Sequence, residues 1–160
     1  MKLIVGAIGR QKSGPETELV ARYQDRAQKA GRSLGLSGPD IVEFSESRAR
    51  SVNERKNQEA EQLLKALPAG SFIIALDEHG KSISSEAFAQ IMDRQRNQGC
   101  PAMALCLGGP DGHGQELLAR ADMKLALGAM TWPHQIARIL VSEQIYRAIT
   151  ILSGHPYHRS

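Results

Sequence analysis

The sequence has little of several things that often reveal a function. Cysteine occurs twice in 160 residues, at Cys100 and Cys106, and no CxxC pair is present. The two flank one apolar run, CPAMALC, which reads as a single strand whose ends cannot meet, so we expect reduced thiols and no zinc site. Aromatic residues amount to one Trp, three Tyr and three Phe. This scarcity argues against a stacking platform for single-stranded nucleic acid.

Long apolar segments are also missing. No window approaches the roughly 18 apolar residues of a membrane span. The N-terminal MKLIVGAIG is too short for a signal peptide and has no cleavage site. We therefore expect a cytoplasmic protein without membrane contact. A net charge of +3 and a pI near 9.0 are compatible with a nucleic-acid partner but do not establish one.

Short apolar runs and helical patterns alternate along the whole chain. The predicted strands are 2–8, 40–44, 71–77, 102–107 and 124–129. The predicted helices are 15–31, 49–67, 84–99, 115–121 and 134–152, and 34–39 is predicted to be a loop. Continuous apolar strands separated by helices are typical of a parallel sheet covered on both faces. We predict an α/β fold with a mostly parallel sheet, in a single domain over residues 1–160.

The last predicted helix is apolar over most of its circumference. Its apolar residues are Ile136, Ile139, Leu140, Val141, Ile145, Tyr146, Ile149, Ile151 and Leu152. Such a helix must be buried on two sides. The second side is covered either by a partner subunit or by the same chain. Glu143 and Arg147 stand at i, i+4 and are spaced for a helix ion pair.

Three predicted strands end in loops that could hold a ligand. LCLGGPDGHG follows the fourth strand, IALDEHGK ends the third, and LGAMTWPHQ follows the fifth. Ligands bind at the carboxyl ends of parallel strands, and glycines let a ligand approach the main chain. Neither GxGxxG nor a P-loop fits. One interpretation is that these loops bind a flat neutral heterocycle such as adenine. The alternative is that the glycines form a structural turn and that Trp132 and Pro133 only begin a helix.

Residues 155–159 read HPYHR. The residues alone do not decide what this segment does. It is a frayed tail, a metal-binding pair formed by His155 and His158, or part of a site. No neighbouring Cys or acidic residue completes a set of metal ligands, so we expect no metal.

Taken together, LGGPDG, MTWPHQIARILVSEQIYRA and HPYHR resemble the SPOUT methyltransferases. Among these, the chain is similar to the single-domain RlmH family, which methylates N3 of a pseudouridine in large-subunit (23S) ribosomal RNA. The resemblance runs from MKLIVGAIG to HPYHRS, with its specific motifs in the second half. It implies a Rossmann-like sheet of five or six strands and a C-terminal trefoil knot, a rare exception among folds. It also implies a homodimer with sites at the subunit boundary, S-adenosylmethionine as cofactor, and ribosomal RNA, on the assembled 70S ribosome, as substrate.

The resemblance also assigns site residues. The implied cofactor-binding residues are Leu76, Gly108, Gly109, Leu127, Gly128, Ala129, Met130, Thr131 and Trp132. Tyr157, His158 and Arg159 are the implied catalytic residues, and His134 and His155 are expected to contact substrate. An imide N3 attacks only after losing its proton, so His158 is the candidate base. Arg159 carries a permanent positive charge that could stabilise the anionic base of the substrate or bind a phosphate. Tyr157 offers a ring for stacking on that base and a hydroxyl for orienting it.

Two other functions fit the same motifs. One is a SPOUT methyltransferase acting on another RNA, such as tRNA. The other is a ribosome-assembly factor without enzymatic activity, against which the intact HPYHR argues. The strongest basic cluster, Arg48, Arg50, Arg55 and Lys56, is interleaved with glutamates and reads as a solvated helix face. We therefore expect RNA recognition to depend on the dimer surface and the assembled ribosome.

Overall fold

The structure, a computed structural model, describes residues 1–158. In this part of the chain the strands are β1 (Lys2–Ile8), β2 (Ser37–Phe44), β3 (Phe72–Lys81), β4 (Ala102–Leu107) and β5 (Met123–Leu125). The helices are α1 (Pro15–Gly31), α2 (Val52–Lys65), α3 (Ser85–Asn97), α4 (Gln115–Arg120) and α5 (His134–Leu152). Helix and strand alternate throughout, as the sequence predicts.

The strands form one parallel sheet in the order β2–β1–β4–β3–β5. Val5 of β1, for example, pairs with Ile41 of β2 on one side and with Leu105 of β4 on the other. β4 is buried along its whole length, as a continuous apolar strand should be when both faces are covered. The predicted α/β fold with a parallel sheet is confirmed.

Helices cover the two faces of the sheet and create two apolar clusters. On one face α1, α3 and α5 pack around Val5, Ile74 and Leu105. On the other, α2 and α4 pack around Leu63 and Cys106. Burial raises the pKa of the Cys106 thiol to about 12, so this thiol stays protonated. Cys100 and Cys106 are both free, as predicted.

Several boundaries differ from the sequence prediction, among them those of β2, β5 and α2. β2 begins at Ser37, inside the predicted loop 34–39, because Lys2 of β1 pairs with Ser37. Pro39 is tolerated there because β2 is an edge strand.

β5 ends at Leu125 rather than at 129, and the next residue, Ala126, donates to the Lys81 carbonyl oxygen of β3 (3.0 Å). α2 runs over Val52–Lys65 rather than 49–67. It begins later because the Ser51 side chain caps it by accepting from the Glu54 N–H.

β3 is longer than predicted because its end folds around β5. Leu125 pairs with Leu76 and also with Lys81. Gly80 lies so close to Leu125 that a Cβ at position 80 would come 2.6 Å from the Leu125 nitrogen. Only glycine fits at that distance. We name residues 77–81 the β3 collar.

α5 lies between α1 and α3 and also contacts β4. Val141, Ile145 and Ile149 are buried, whereas Ile136 and Leu140 are only partly buried. The chain therefore covers one broad side of α5 itself and leaves the other half-exposed, so the predicted dimer stays a prediction. Neither α5 nor another helix within residues 1–158 combines the length and apolarity that a bilayer crossing needs.

Candidate functional site

Two adjoining cavities open at the carboxyl edge of the sheet. The smaller, of about 160 Å³, lies between the β3 collar and the loop after β5, and we name it the loop cavity. The larger, of about 490 Å³, lies between the ends of β1 and β4 and the start of α5, and we name it the polar cavity. Leu76, Trp132 and Ala137 line both. The three predicted ligand loops therefore meet at one place.

Most residues that the resemblance assigns to the cofactor line these cavities. Those that line one or both are Leu76, Gly108, Gly109, Leu127, Gly128, Met130, Thr131 and Trp132. Ala129 lines neither of them. His134, assigned to substrate, lines the polar cavity. His155 lies in the exposed tail, where its Nδ1 accepts from the Tyr157 N–H (3.1 Å).

The loop cavity has apolar walls and an exposed aromatic rim. Leu76, Leu125 and Leu127 contribute walls. Trp132 donates from Nε1 to the Leu127 carbonyl oxygen (3.1 Å), which fixes the indole across the loop while 41% of the residue remains exposed. Met130 is 75% exposed. Exposed large apolar groups beside a cavity mark a binding surface, and this one suits a flat ring.

The floor of the polar cavity is held by Arg138, which is 1% exposed. Its guanidinium pairs with the Glu43 carboxylate and donates from Nη2 to the Gly9 carbonyl oxygen (2.7 Å). The same Nη2 lies 3.4 Å from His134 Nε2. Arg138 thus joins the ends of β1 and β2 to the start of α5. Burial, together with the nearby Arg138 charge, lowers the pKa of His134, so this imidazole is neutral at pH 7.

The glycine loop, residues 108–114, lies directly against α2. A Cβ at Gly114 would come 2.4 Å from the Lys56 carbonyl oxygen, and one at Gly109 would come 2.9 Å from Glu59 Oε2. Arg55 of α2 donates from Nε to Asp111 Oδ2 (2.7 Å), and this bond lowers the pKa of Asp111. The loop therefore holds its position through contacts that need glycine.

His113 ties the glycine loop to the end of β3. The residue is 5% exposed, and its Nε2 lies 3.0 Å from the Leu76 carbonyl oxygen. Burial lowers the pKa of His113, so the ring is neutral. Because a carbonyl oxygen only accepts, Nε2 must carry the ring hydrogen.

The tail folds back along α5. Tyr157 donates from its hydroxyl to Glu143 Oε1 (3.1 Å), and the Arg147 guanidinium lies 5.0 Å from the centre of its ring. Glu143 and Arg147 form the predicted i, i+4 ion pair at 2.7 Å. His158 Nε2 lies 2.9 Å from Glu86 Oε1 at the start of α3. Burial raises the pKa of the Tyr157 phenol, which therefore stays protonated.

The described tail residues lie beside the two cavities rather than in them. Glu86 follows Ser84 and Ser85, which line a third cavity of about 330 Å³ between α3 and α5. This cavity shares Leu127 and Gly128 with the loop cavity, but neither Tyr157 nor His158 lines any of the three. The predicted site residue Arg159 lies outside the described residues.

Sequence reasoning missed four polar side chains at this edge: Glu43, Glu59, His113 and Arg138. Only Arg138 gave a local signal, as a charge inside the apolar face of the last helix. The contacts of the others depend on chain segments far apart in sequence. Across residues 1–158, no three His, Cys, Asp or Glu side chains gather as a metal site requires.

Comparison of the sequence with known proteins identifies a family. The family model described as "Predicted SPOUT methyltransferase" matches residues 1–158. The chain is 54% identical over 160 residues to "Ribosomal RNA large subunit methyltransferase H" of Brucella anthropi, covering all of both chains. It is 53% identical over 159 residues to the protein of the same name from Rhizobium etli, covering 99% of each. With this match over nearly its full length, the chain belongs to the SPOUT methyltransferase family.

Proposed function

We propose that this chain is an S-adenosylmethionine-dependent methyltransferase that methylates N3 of a pseudouridine in large-subunit (23S) ribosomal RNA, on the assembled ribosome. One observation of the structure carries the proposal. Eight of the nine residues that the resemblance assigns to the cofactor line two adjoining cavities at the carboxyl edge of the sheet. The names of the full-length relatives indicate that the substrate is large-subunit ribosomal RNA.

The residues at this edge fit S-adenosylmethionine. The apolar loop cavity beside Trp132 suits the adenine ring, and five of the six residues from Leu127 to Trp132 line it. Gly108 and Gly109 leave their backbone open to the neighbouring polar cavity, which suits the polar remainder of the molecule. When bound, this cofactor supplies a methyl group on a sulfonium, which transfers by in-line displacement.

The tail residues would handle the acceptor. The N3 hydrogen of the imide ring has to leave as the nitrogen attacks, and His158 would take it as general base. Arg159 would stabilise the negative charge of the ring, and Tyr157 would orient it. The hydrogen bond between Tyr157 and Glu143 and the 2.9 Å contact between His158 Nε2 and Glu86 Oε1 support an anchored tail rather than a frayed one.

We further infer a homodimer, a trefoil knot and a single domain over residues 1–160. The half-exposed apolar side of α5 supports the dimer, in which the tail of one subunit would serve the cofactor site of the other. The pairing of Leu125 with both Leu76 and Lys81 supports the knot. The two apolar clusters lie on opposite faces of one sheet, which supports a single domain.

Transfer of a tritiated methyl group tests the substrate. Assembled 70S ribosomes should accept the label, free subunits should accept less, and a naked stem-loop should accept very little. Mapping should place the label on N3 of one pseudouridine of the large-subunit RNA. Labelling of tRNA instead would favour the other RNA target, and a protein that binds no S-adenosylmethionine would favour the assembly factor.

Single-turnover rates with saturating ribosomes test the base. We expect His158→Ala to lose most of the rate, because a positioned base contributes a factor of roughly 10² to 10⁴. The matched control is Arg159→Ala. If Arg159→Ala lost the rate while His158→Ala kept it, His158 would not be the base.

A further inference from the structure

Glu59 of α2 is a buried carboxylate with only half of its hydrogen-bonding capacity used. The residue is 4% exposed. Its Oε1 accepts from the Ser47 N–H (2.9 Å). Its Oε2 is buried and has no hydrogen-bond partner among the described residues. An unpaired buried carboxylate oxygen raises the free energy of the folded state, so its presence needs an explanation.

The unpartnered oxygen faces the glycine loop. A Cβ at Gly109 would come 2.9 Å from Glu59 Oε2, and Gly109 lines the polar cavity. Arg55, one turn earlier on α2, reaches the same two segments, since it donates to Asp111 (2.7 Å) and to the Ala49 carbonyl oxygen (3.2 Å). This face of α2 therefore joins residues 45–51 to the glycine loop.

The start of the glycine loop, which lies next to Oε2, offers only main-chain donors. Gly108 and Gly109 have no side chain, and Pro110 has no N–H, so the donors in this part of the loop are the main-chain N–H groups of Gly108 and Gly109. A small movement of this loop toward α2 would bring such an N–H to the carboxylate. A hydrogen bond to a charged acceptor is among the stronger ones.

We propose that Glu59 is a positioning residue for S-adenosylmethionine: its Oε2 accepts a glycine-loop N–H when the loop closes on the cofactor. This inference rests on the proposed function. In the free protein the oxygen has no partner, and in the complex it has one. The difference in free energy adds to the affinity for the cofactor and fixes the loop that holds it.

Glu59→Gln is the sharpest test, because the amide keeps the shape and the oxygen at Ser47 but replaces the acceptor at Gly109 with a donor. We expect the Kd for S-adenosylmethionine, measured by calorimetry, to rise roughly tenfold. The melting temperature of the cofactor-free protein should stay equal or rise, since a neutral amide costs less to bury than a carboxylate. The control is Glu61→Gln on the same helix, where the exposed Glu61 only pairs with Lys65; it should change neither quantity.

Amide hydrogen exchange, in the wild-type protein and in Glu59→Gln, gives a second test that does not depend on the measured affinity. S-adenosylmethionine should slow exchange at Gly108 or Gly109, and Glu59→Gln should remove much of that protection. A variant with lower cofactor-free stability and unchanged Kd would show a purely structural role and overturn the proposal. So would wild-type binding by Glu59→Gln alongside weak binding by Glu59→Ala, because a protonated Glu59 would then be the donor. A wild-type protein that binds no S-adenosylmethionine would contradict the proposed function itself.

Discussion

Arg138 places a guanidinium group in the interior of the protein. Its contribution to stability depends on the partners of that group. The group holds Glu43, the Gly9 carbonyl oxygen and the start of α5 together. Breaking a buried ion pair leaves the remaining charge without compensation, which costs more than the pair contributes. The floor of the polar cavity therefore depends on a buried ion pair between two segments far apart in sequence.

We expect Glu43→Ala to lower the free energy of unfolding by about 3 kcal/mol, the low end for a broken buried pair, because the Glu43 side chain is 28% exposed. Urea unfolding measures this. The control is Asp40→Ala on the same strand, where the ion pair with Lys2 is about half-exposed on both sides and should contribute less than about 1 kcal/mol. If both variants lost the same free energy of unfolding, the burial of Arg138 would not add to the cost of breaking its ion pair.

The buried histidines make stability depend on pH. The folded state lowers the pKa of His113 and of His134, so the unfolded chain binds protons first as the pH falls. Their stabilising effect is complete above the unfolded pKa of about 6.5 and is lost below it. We expect the free energy of unfolding to fall as the pH drops below about 6.5, by at most about 1.4 kcal/mol per pH unit for each histidine.

His113→Gln should flatten this pH dependence and His79→Gln should not. His79 has a side chain that is 84% exposed, so it serves as the control. Urea unfolding at several pH values provides the measurement. An unchanged slope in His113→Gln would show that His113 takes up its proton as easily in the folded protein as in the unfolded chain.

Among single residues, sequence reasoning singled out those that belong to a motif. Gly108, Gly109 and Trp132 were assigned to the cofactor by the family resemblance, in loops that follow apolar strands. Glu59 and His113 were not, because a buried polar residue in the sequence looks like any exposed one. Their partners, Ser47 and Leu76, are 12 and 37 residues away, and only the folded chain brings them together.

At the scale of elements, α5 and the tail behave as one unit. Glu143 accepts from Arg147 at 2.9 Å and from Tyr157 at 3.1 Å. The tail is therefore fastened to the middle of the helix that precedes it, and His158 is fastened to α3.

We expect Glu143→Ala to release the tail. Amide hydrogen exchange at residues 155–158 should become several-fold faster, since the protecting contacts contribute roughly 1 kcal/mol each. Methyl transfer should fall while the Kd for S-adenosylmethionine stays unchanged. Glu116→Ala, an exposed position on α4, is the control. Unchanged exchange in Glu143→Ala would mean that other contacts hold the tail.

The elements themselves were largely predictable. β1, β4, α1 and α5 have the predicted bounds because apolar runs, Pro15 and Gly31 are local signals. The start of β2 and the β3 collar were not, since Ser37 becomes strand by pairing with Lys2 and Lys81 by pairing with Leu125. Pairing partners distant in sequence leave no local pattern.

At the scale of the whole molecule, the proposed homodimer predicts a shared site that mixing two variants can reveal. His158→Ala lacks the base, and Gly109→Val would push the glycine loop away from α2, where even a Cβ is too close to Glu59. Each variant alone should be inactive. If the tail serves the partner's cofactor site, a heterodimer of the two has one intact site.

Random reassociation of equal amounts of the two variants should make about half of the dimers mixed. Each mixed dimer has one working site of two, so about a quarter of wild-type methyl transfer should return. The control mixes each variant with itself. No recovery after subunit exchange, verified by mass spectrometry, would mean that tail and cofactor site work within one chain.

The β3 collar has a consequence for how a new chain becomes competent. β5 has three residues, too few to stay in place without partners, and its Leu125 pairs with Leu76 just before the collar and with Lys81 at the collar's end. We therefore expect the collar and β5 to reach their positions together. Residues 126–132 follow β5, so a refolding chain should hold a methyl donor only after Leu125 has paired with β3.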